Sequence, residues 1–314
     1  MIGITRAPPY LTVQDLGRAH SRSSGVPRGG AMDRSAIQAL NAIVGNPNGS
    51  AALEWALGGG GIQFKTPCTI ALGGARVEAN LSGKIVRPFT TFRVARGETL
   101  EVERFTSGRF LYIAVSGGID APIVLGSRST YLPGGFGGYN GRIITRDDSL
   151  SLGSQPGAIP ADGFAIPAEL LPQYSSPRVR ITVGTHTDLF DEVALRTLLE
   201  EEFRISTASD RTGYKLKGAA LQNSMGSLPS DPGCHGAVQV PGDGAPIVLM
   251  SDAPTVGGYP KIAVVAEADM PVLAQRTPGE KVRFERITIE QSQRILKQRQ
   301  SELNTIYSAG AASA

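Results

Sequence analysis

Apolar residues in this chain come mostly in short runs, and most of those runs read as β-strands. "TIAL" (69–72), "FLYIAV" (110–115), "VRITV" (179–183) and "PIVLM" (246–250) are short, rich in β-branched residues, and often bounded by Gly or Pro. "TLEVE" (99–103) and "KVRFE" (281–285) alternate apolar with polar, so each should bury one face and wet the other. Three segments switch to helical spacing. "DRSAIQALNAIVGN" places Ala36, Ile37, Leu40, Ile43 and Val44 on one face, with Asp33 at the N-cap and Gly45-Asn46 as the stop. "DLFDEVALRTLLEEEF" predicts a second helix capped by Asp188, facing the core with Phe190, Val193, Thr197 and Leu198. Its acidic end, Glu200 to Glu202, opposes the helix dipole and calls for exposure or a basic neighbour. "EQSQRILKQRQSELNTI" is mostly polar and should pack by a narrow stripe, with the closing "SAGAASA" disordered.

A weak repeat runs through the strands. "GIQF" (61–64) resembles "AVQV" (237–240), and each precedes an apolar strand. Each is followed later by a Gly-Glu turn into an alternating strand, "RGETLEVE" and "PGEKVRFE". This predicts a mainly β protein with a few helices, built as two related β-rich domains. The expected boundaries are 1–177 and 178–290, with a C-terminal helix and tail over 291–314. The Pro-rich stretch 154–177 makes the connection.

Composition narrows the function classes. With 314 residues and 41% hydrophobic content, the chain has room for a large core in more than one domain. Lys+Arg 31 against Asp+Glu 28, with no basic run, gives no nucleic-acid signal. No apolar run approaches the roughly 20 residues of a membrane span. The start lacks a basic region followed by an apolar one, and the two cysteines show no C-x-x-C spacing; a reducing cytoplasm is expected. Cys234-His235 does not make a zinc site, and no metal is expected. Walker, dinucleotide-binding and nucleophile-elbow motifs are all missing.

The candidate chemistry sits in glycine-rich segments. "GGIDAPIVLGSRSTYLPGGFGGYNGR" (117–142) lies between strand-like runs, so it reads as an ordered loop. Arg128 offers a planar cation to a carboxylate or phosphate, and Ser127, Ser129 and Thr130 add hydroxyls. Freed backbone N–H groups can form an anion nest. The alternative is that the glycines serve turns and Arg128 pairs with a carboxylate of its own chain. In "GAVQVPGDGAPIVLMSDAPTVGGYPKIA" (236–263), Gln239 lies in a strand. Lys261 follows Tyr259 in a turn that would display its ammonium. In 12–33, Asp15 and Arg18 are close enough to pair, while Asp33 is either a cap or a functional carboxylate. "SDRTGYKLKG" contributes Asp210, Arg211 and Tyr214. Unaided, these residues point to a small anionic or amide-bearing ligand.

The strings "TVQDLGR", "GVPRGGAMD", "VSGGIDAPIVLGSRSTYLPGGFGG", "SDRTGYKLKG" and "GAVQVPGDGAPIVLMSDAPTVGGYPKIA" resemble, in this order, the biotin-dependent carboxyltransferase family (subdomains A and B). That family includes the C subunit of 5-oxoprolinase, KipA-type proteins and the second subunit of allophanate hydrolase. The resemblance runs from about Thr12 to Phe284. It implies two tandem cyclophilin-like β-barrel domains and a KipI-like partner (the B subunit of 5-oxoprolinase), often with a LamB-type A subunit. It implies ATP-dependent opening of 5-oxo-L-proline to L-glutamate, with ATP on this chain or on a partner. In that reading Arg128 and Lys261 neutralise developing charge, Gln239 orients the amide, and Asp210 or Asp33 is the general base. Ser127, Ser129, Thr130, Tyr259, Arg211 and Tyr214 line the substrate. Carboxyl transfer from carboxybiotin to urea is the alternative. The chain has no Ala-Met-Lys-Met-like hairpin, so biotin would arrive on another chain. A KipA-like regulator without chemistry is the third reading.

Overall fold

The computed structural model describes residues 1–154 and 161–312 and divides into two compact units. Unit 1 comprises Met1–Arg18, Gly29–Pro172 and Ser301–Ala314; unit 2 comprises Ala19–Arg28 and Gln173–Gln300. The strands of unit 1 are β1 (Ile2–Arg6), β2 (Tyr10–Gln14), β3 (Ala52–Ala56), β4 (Gly60–Phe64), β5 (Cys68–Leu81), β6 (Lys84–Ile85), β7 (Thr91–Val94), β8 (Thr99–Val115), β9 (Ile119–Asp120) and β10 (Ser149–Leu152). They form one ten-stranded sheet along the path β2-β3-β8-β4-β1-β10-β9, with β5 pairing β6, β7 and β8. "TLEVE" and "FLYIAV" turn out to be two ends of the single long strand β8. One end lies against β4, the other against β3, and β5 accompanies it throughout. Shifts in register along β5–β8 bend the pair and give the sheet its barrel-like curvature.

Helix α1 (Arg34–Ile43) forms where the spacing predicts it, and all five apolar positions of its face are buried. Asp33 caps it by accepting from the Ala36 N–H at 2.9 Å. The core of unit 1 is aliphatic around fully buried Trp55 and Phe64, with Leu11, Leu53, Ile62, Leu100, Leu111 and Ile113 packed about them.

Unit 2 is a closed barrel in the order β11 (Arg178–Val183), β18 (Lys261–Val265), β15 (Ala237–Gln239), β16 (Ile247–Leu249), β13 (Gly213–Lys217), β12 (Phe203–Ile205) and β19 (Lys281–Arg286). A parallel β11–β19 pairing closes the ring, leaving no free edge. A separate two-stranded ribbon joins β14 (Asp231–Pro232) to β17 (Val256–Gly257). The mainly β architecture is the expected one.

Several local expectations change. Helix α2 (Glu192–Glu200) starts three residues later than expected, capped by Asp191 through the Ala194 N–H at 2.7 Å. Asp188 instead lies in a short 3-10 turn, Thr187–Leu189. Val193 is 63% exposed, and Ala194 takes its place in the core beside Leu198. The acidic end of α2 does find basic neighbours: Glu202 pairs with Lys281, Arg204 and Arg283. After the short helix α3 (Met270–Ala274), helix α4 runs from Ile289 to Ala312. The tail is therefore helical through Ala312 rather than disordered. It packs by the narrow stripe Leu303, Ile306 and Gly310, and Gly310 lies against the Ala42 carbonyl. The repeated motifs are not topological equivalents: β4 bonds to the "TLEVE" strand, whereas β15 bonds to β16 and β18, not to the "KVRFE" strand. Residues 155–160 of the expected connection lie outside the described residues.

Candidate functional site

In unit 1 the glycine loop is ordered, as its apolar flanks predict, and one carboxylate organises it. Asp15, at the end of β2, accepts from the Ser127 hydroxyl at 2.6 Å, the Arg128 N–H at 2.6 Å, the Ser129 hydroxyl at 2.5 Å and the Gly17 N–H at 2.8 Å. Thr130 donates both its N–H and its hydroxyl to the Val13 carbonyl. Gln14 donates to the Thr130 carbonyl, and Arg18 to the Ser129 carbonyl. The loop thus covers the edge strand β2 and uses its polar groups inward. Ser127, Ser129 and Thr130 are almost wholly buried, and their hydroxyls hold the loop.

The anion nest exists, but Asp15 fills it. The N–H groups of Arg128, Ser129, Thr130, Tyr131, Gly135 and Gly138 all have acceptors within unit 1. These residues do not fit a triphosphate. The glycines serve close approach: Gly137, at φ +74°, is pressed against the Ser129 carbonyl, where a Cβ has no room. Arg18 reaches Ser129 rather than pairing simply with Asp15, and its guanidinium stacks 4.9 Å from the Phe136 ring. Arg128 does meet a domestic carboxylate. Its Nη1 donates to Asp120 at 3.0 Å and to the Ala121 carbonyl, with the side chain one third exposed.

Asp33 is fully buried at the α1 cap, and its N–H donates to the Tyr112 hydroxyl. Tyr112 in turn donates to buried Glu54 at 2.7 Å, and Glu54 also accepts from the Met32 N–H. Burial, with Glu54 and Asp33 close by, pushes the Tyr112 phenol well above its ordinary value. This network anchors the start of α1, and a base at Asp33 would be sealed from solvent.

In unit 2, Arg211 makes a buried two-point pair with Asp252, at 2.8 and 2.9 Å. Tyr214 is fully buried, donating to the Ala274 carbonyl. Both side chains are buried. Asp210 is exposed and accepts from the Thr212 and Gly213 N–H groups, which shapes a turn.

Gln239 and Lys261 do come together, through a β-bulge. Val238 pairs with Ala263, but Gln239 pairs with Lys261, so one residue of β18 is skipped. Without the bulge Gln239 would stand opposite Ile262. The expected display of the Lys261 ammonium is overturned: the residue is 5% exposed. Its Nζ donates to the Asp231 carboxylate and, at 2.7 Å, to the Pro232 carbonyl. The ammonium holds the Asp231 carboxyl below its ordinary value. His186 backs the pair. Its Nδ1 accepts from the Lys261 N–H at 3.3 Å, and its Nε2 lies 3.9 Å from Asp231. Tyr259, just before them, is 42% exposed.

Gln239 is 5% exposed as a residue; its carboxamide makes no hydrogen bond among the described residues and keeps its polar edge accessible to solvent. It faces Gly257 on β17, where a Cβ would sit 2.9 Å from Nε2. Sequence reasoning missed Asp231 and His186. No motif marks them, because they lie 30 and 75 residues from Lys261 and converge only through barrel and ribbon. Among the described residues, no group of three His, Cys, Asp or Glu side chains is placed to hold a metal ion. No helix there is long and apolar enough to cross a membrane.

Comparison with known proteins gives this arrangement a family. The carboxyltransferase domain, subdomain A and B, matches residues 24–286. The chain belongs to that family. It is 38% identical over 310 residues to the 5-oxoprolinase C subunit of Escherichia coli (strain K12), covering 96% of this chain and 95% of that protein. Identity to the 5-oxoprolinase C subunit of Haemophilus influenzae is 33%, covering 98% and 97%. Among solved structures, the crystal structure of the K. lactis urea amidolyase superposes with a TM-score of 0.91 at 30% identity. It covers 97% of this chain and 20% of that one. This carboxyltransferase-family chain therefore spans about a fifth of the amidolyase.

Proposed function

We propose that the chain is the C-type component of an ATP-dependent 5-oxoprolinase, acting in the cytoplasm with a KipI-like B subunit and a LamB-type A subunit. The observation that carries this reading is the end-to-end match with the 5-oxoprolinase C subunit, over nearly the full length of both proteins. In the amidolyase, by contrast, the same domain is one part of a far longer chain. The chemistry of unit 2 supports the reading. A lactam offers one N–H and one C=O, the complement of the unpartnered Gln239 carboxamide. Lys261 offers a cation in a place poor in water, where an electrostatic interaction is strong.

Arg128 keeps its role as an electrostatic stabiliser in this reading, since only its Nη1 is engaged by Asp120 and Ala121. ATP is assigned to a partner protein, because the N–H groups of Arg128, Ser129, Thr130, Tyr131, Gly135 and Gly138 are already taken by acceptors within unit 1. The test is reconstitution of this chain with its KipI-like and LamB-type counterparts, 5-oxo-L-proline and ATP. Glutamate and phosphate should form only with all chains present. In that assembly Arg128→Ala and Gln239→Ala should each lower kcat/KM by about tenfold or more, the worth of one or two hydrogen bonds to a polar substrate. Unchanged turnover in both would remove them from the machinery.

The second reading is carboxyl transfer from carboxybiotin, borne on another chain, to urea or a similar amide. The structural likeness to urea amidolyase favours it. Carboxylation of urea without glutamate formation would select it. A stable partner complex with neither activity would select a KipA-like regulator.

A further inference from the structure

The Lys261–Asp231 pair is lopsided. The lysine side chain is 6% exposed and the aspartate side chain 40%. The cost of burying charge therefore rests on the lysine, which needs an anion beside it. The aspartate does not need the lysine, because it can return to water. Asp231 also sits on a light support. The β14–β17 ribbon has two paired positions, Asp231 with Gly257 and Pro232 with Val256. It is prolonged by bonds from the Gly233 N–H to Thr255 and from the Leu228 N–H to Gly258. Arg22, from the segment Ala19–Arg28, donates to the Gly233 and Thr255 carbonyls, one beside each strand.

The same ribbon lies against Gln239. Gly257, opposite Asp231 in register, is the residue pressed against the Gln239 carboxamide. A carboxamide that makes no hydrogen bond among the described residues and keeps an edge toward solvent, and a buried ammonium satisfied by a half-exposed carboxylate, thus lie beside one short element. We propose that Asp231 is an internal stand-in for a ligand carboxylate, and that a small molecule bearing both a carboxylate and an amide opens the β14–β17 ribbon by replacing Asp231 on Lys261 while its amide pairs with Gln239. The exchange is neutral in charge: one carboxylate leaves water as another enters it. His186, behind the pair, keeps Lys261 in place through its backbone whichever carboxylate is present. The choice of 5-oxo-L-proline as one probe rests on the function proposed above; succinamate, an open-chain amide with a carboxylate, does not depend on it.

The experiment uses the full chain and three probes: 5-oxo-L-proline, succinamate, and 2-pyrrolidinone, which has the lactam but no carboxylate. Titration calorimetry should show both carboxylates binding Asp231→Asn about tenfold or more tighter than the unaltered chain, with 2-pyrrolidinone changed less than about twofold. Hydrogen exchange on the unaltered chain gives a readout that survives if the variant does not fold. Saturating succinamate should speed exchange at the Leu228 and Gly233 amides. Equal changes for all three probes, slower exchange at those amides, or no binding of any probe by either chain would overturn the proposal. If the assembled enzyme forms glutamate but the variant gains no preference for carboxylates, this inference fails and the function stands. A carboxylate-selective gain without glutamate formation does the reverse.

Discussion

At the scale of single residues, Asp15 is the side chain on which the glycine loop depends. It is 7% exposed and accepts four hydrogen bonds, so its loss strands buried donors as well as the bonds themselves. Asp15→Ala should cost about 2–4 kcal/mol in urea unfolding, and the amides of residues 127–130 should exchange faster while the barrel of unit 2 keeps its protection. Asp148 carries a pH signature. The Arg142 guanidinium, and after it the Thr145 N–H and hydroxyl, hold its carboxyl well below the usual carboxylate range. As pH falls, the unfolded chain takes up this proton first. The interaction is therefore whole above the unfolded value of about 4 and is lost as pH drops through the folded value. Arg142→Gln should lower the urea midpoint at pH 7, and the gap to the unaltered chain should narrow below about pH 4. A gap of constant size would show that Asp148 is not held by Arg142.

At the scale of elements, the barrel of unit 2 is closed by β19. Its alternation, read directly from "KVRFE", buries Val282 and Phe284 and leaves Lys281, Arg283 and Glu285 outside. Phe284 packs on Phe203 at 6.0 Å between ring centroids, across the strands that β19 joins. Phe284→Ala should cost about 3–5 kcal/mol, the loss of a buried ring plus the cavity it leaves. Arg283→Ala, on the same strand but outward, should cost less than about 1 kcal/mol. Similar losses for both, measured by thermal or urea unfolding, would contradict this account of the closure.

At the scale of the whole molecule, the last turns of α4 belong to unit 1, although the helix begins in unit 2. Leu303 and Ile306 are buried there, and Tyr307 reaches the Gln38 carbonyl. Ending the chain at Gln300 removes both apolar side chains and should cost unit 1 about 3–6 kcal/mol, at about 1.5–3 kcal/mol for each. A truncated chain with unchanged unfolding would show that the helix end only rests on the surface.

The amino-acid sequence by itself determined the fold class, the strands with clean alternation, helix α1 with its cap, and the family. Those properties rest on local spacing, on turn residues and on specific strings, all carried by neighbouring positions. It also marked Gln239, Lys261 and the glycine loop as places of interest. Only the tertiary structure decided what those residues do. Ser127 and Ser129 are consumed by Asp15 and Thr130 by the Val13 carbonyl, partners more than a hundred positions away that come to lie beneath them. The Lys261 ammonium is hidden because a distant ribbon brings the Asp231 carboxylate and the Pro232 carbonyl to it, while a bulge sets its residue opposite Gln239. Whether a polar group faces solvent, a ligand or its own chain depends on which partners arrive from far along the chain. Local pattern holds no record of those meetings, because closure of the sheet and barrel brings them about.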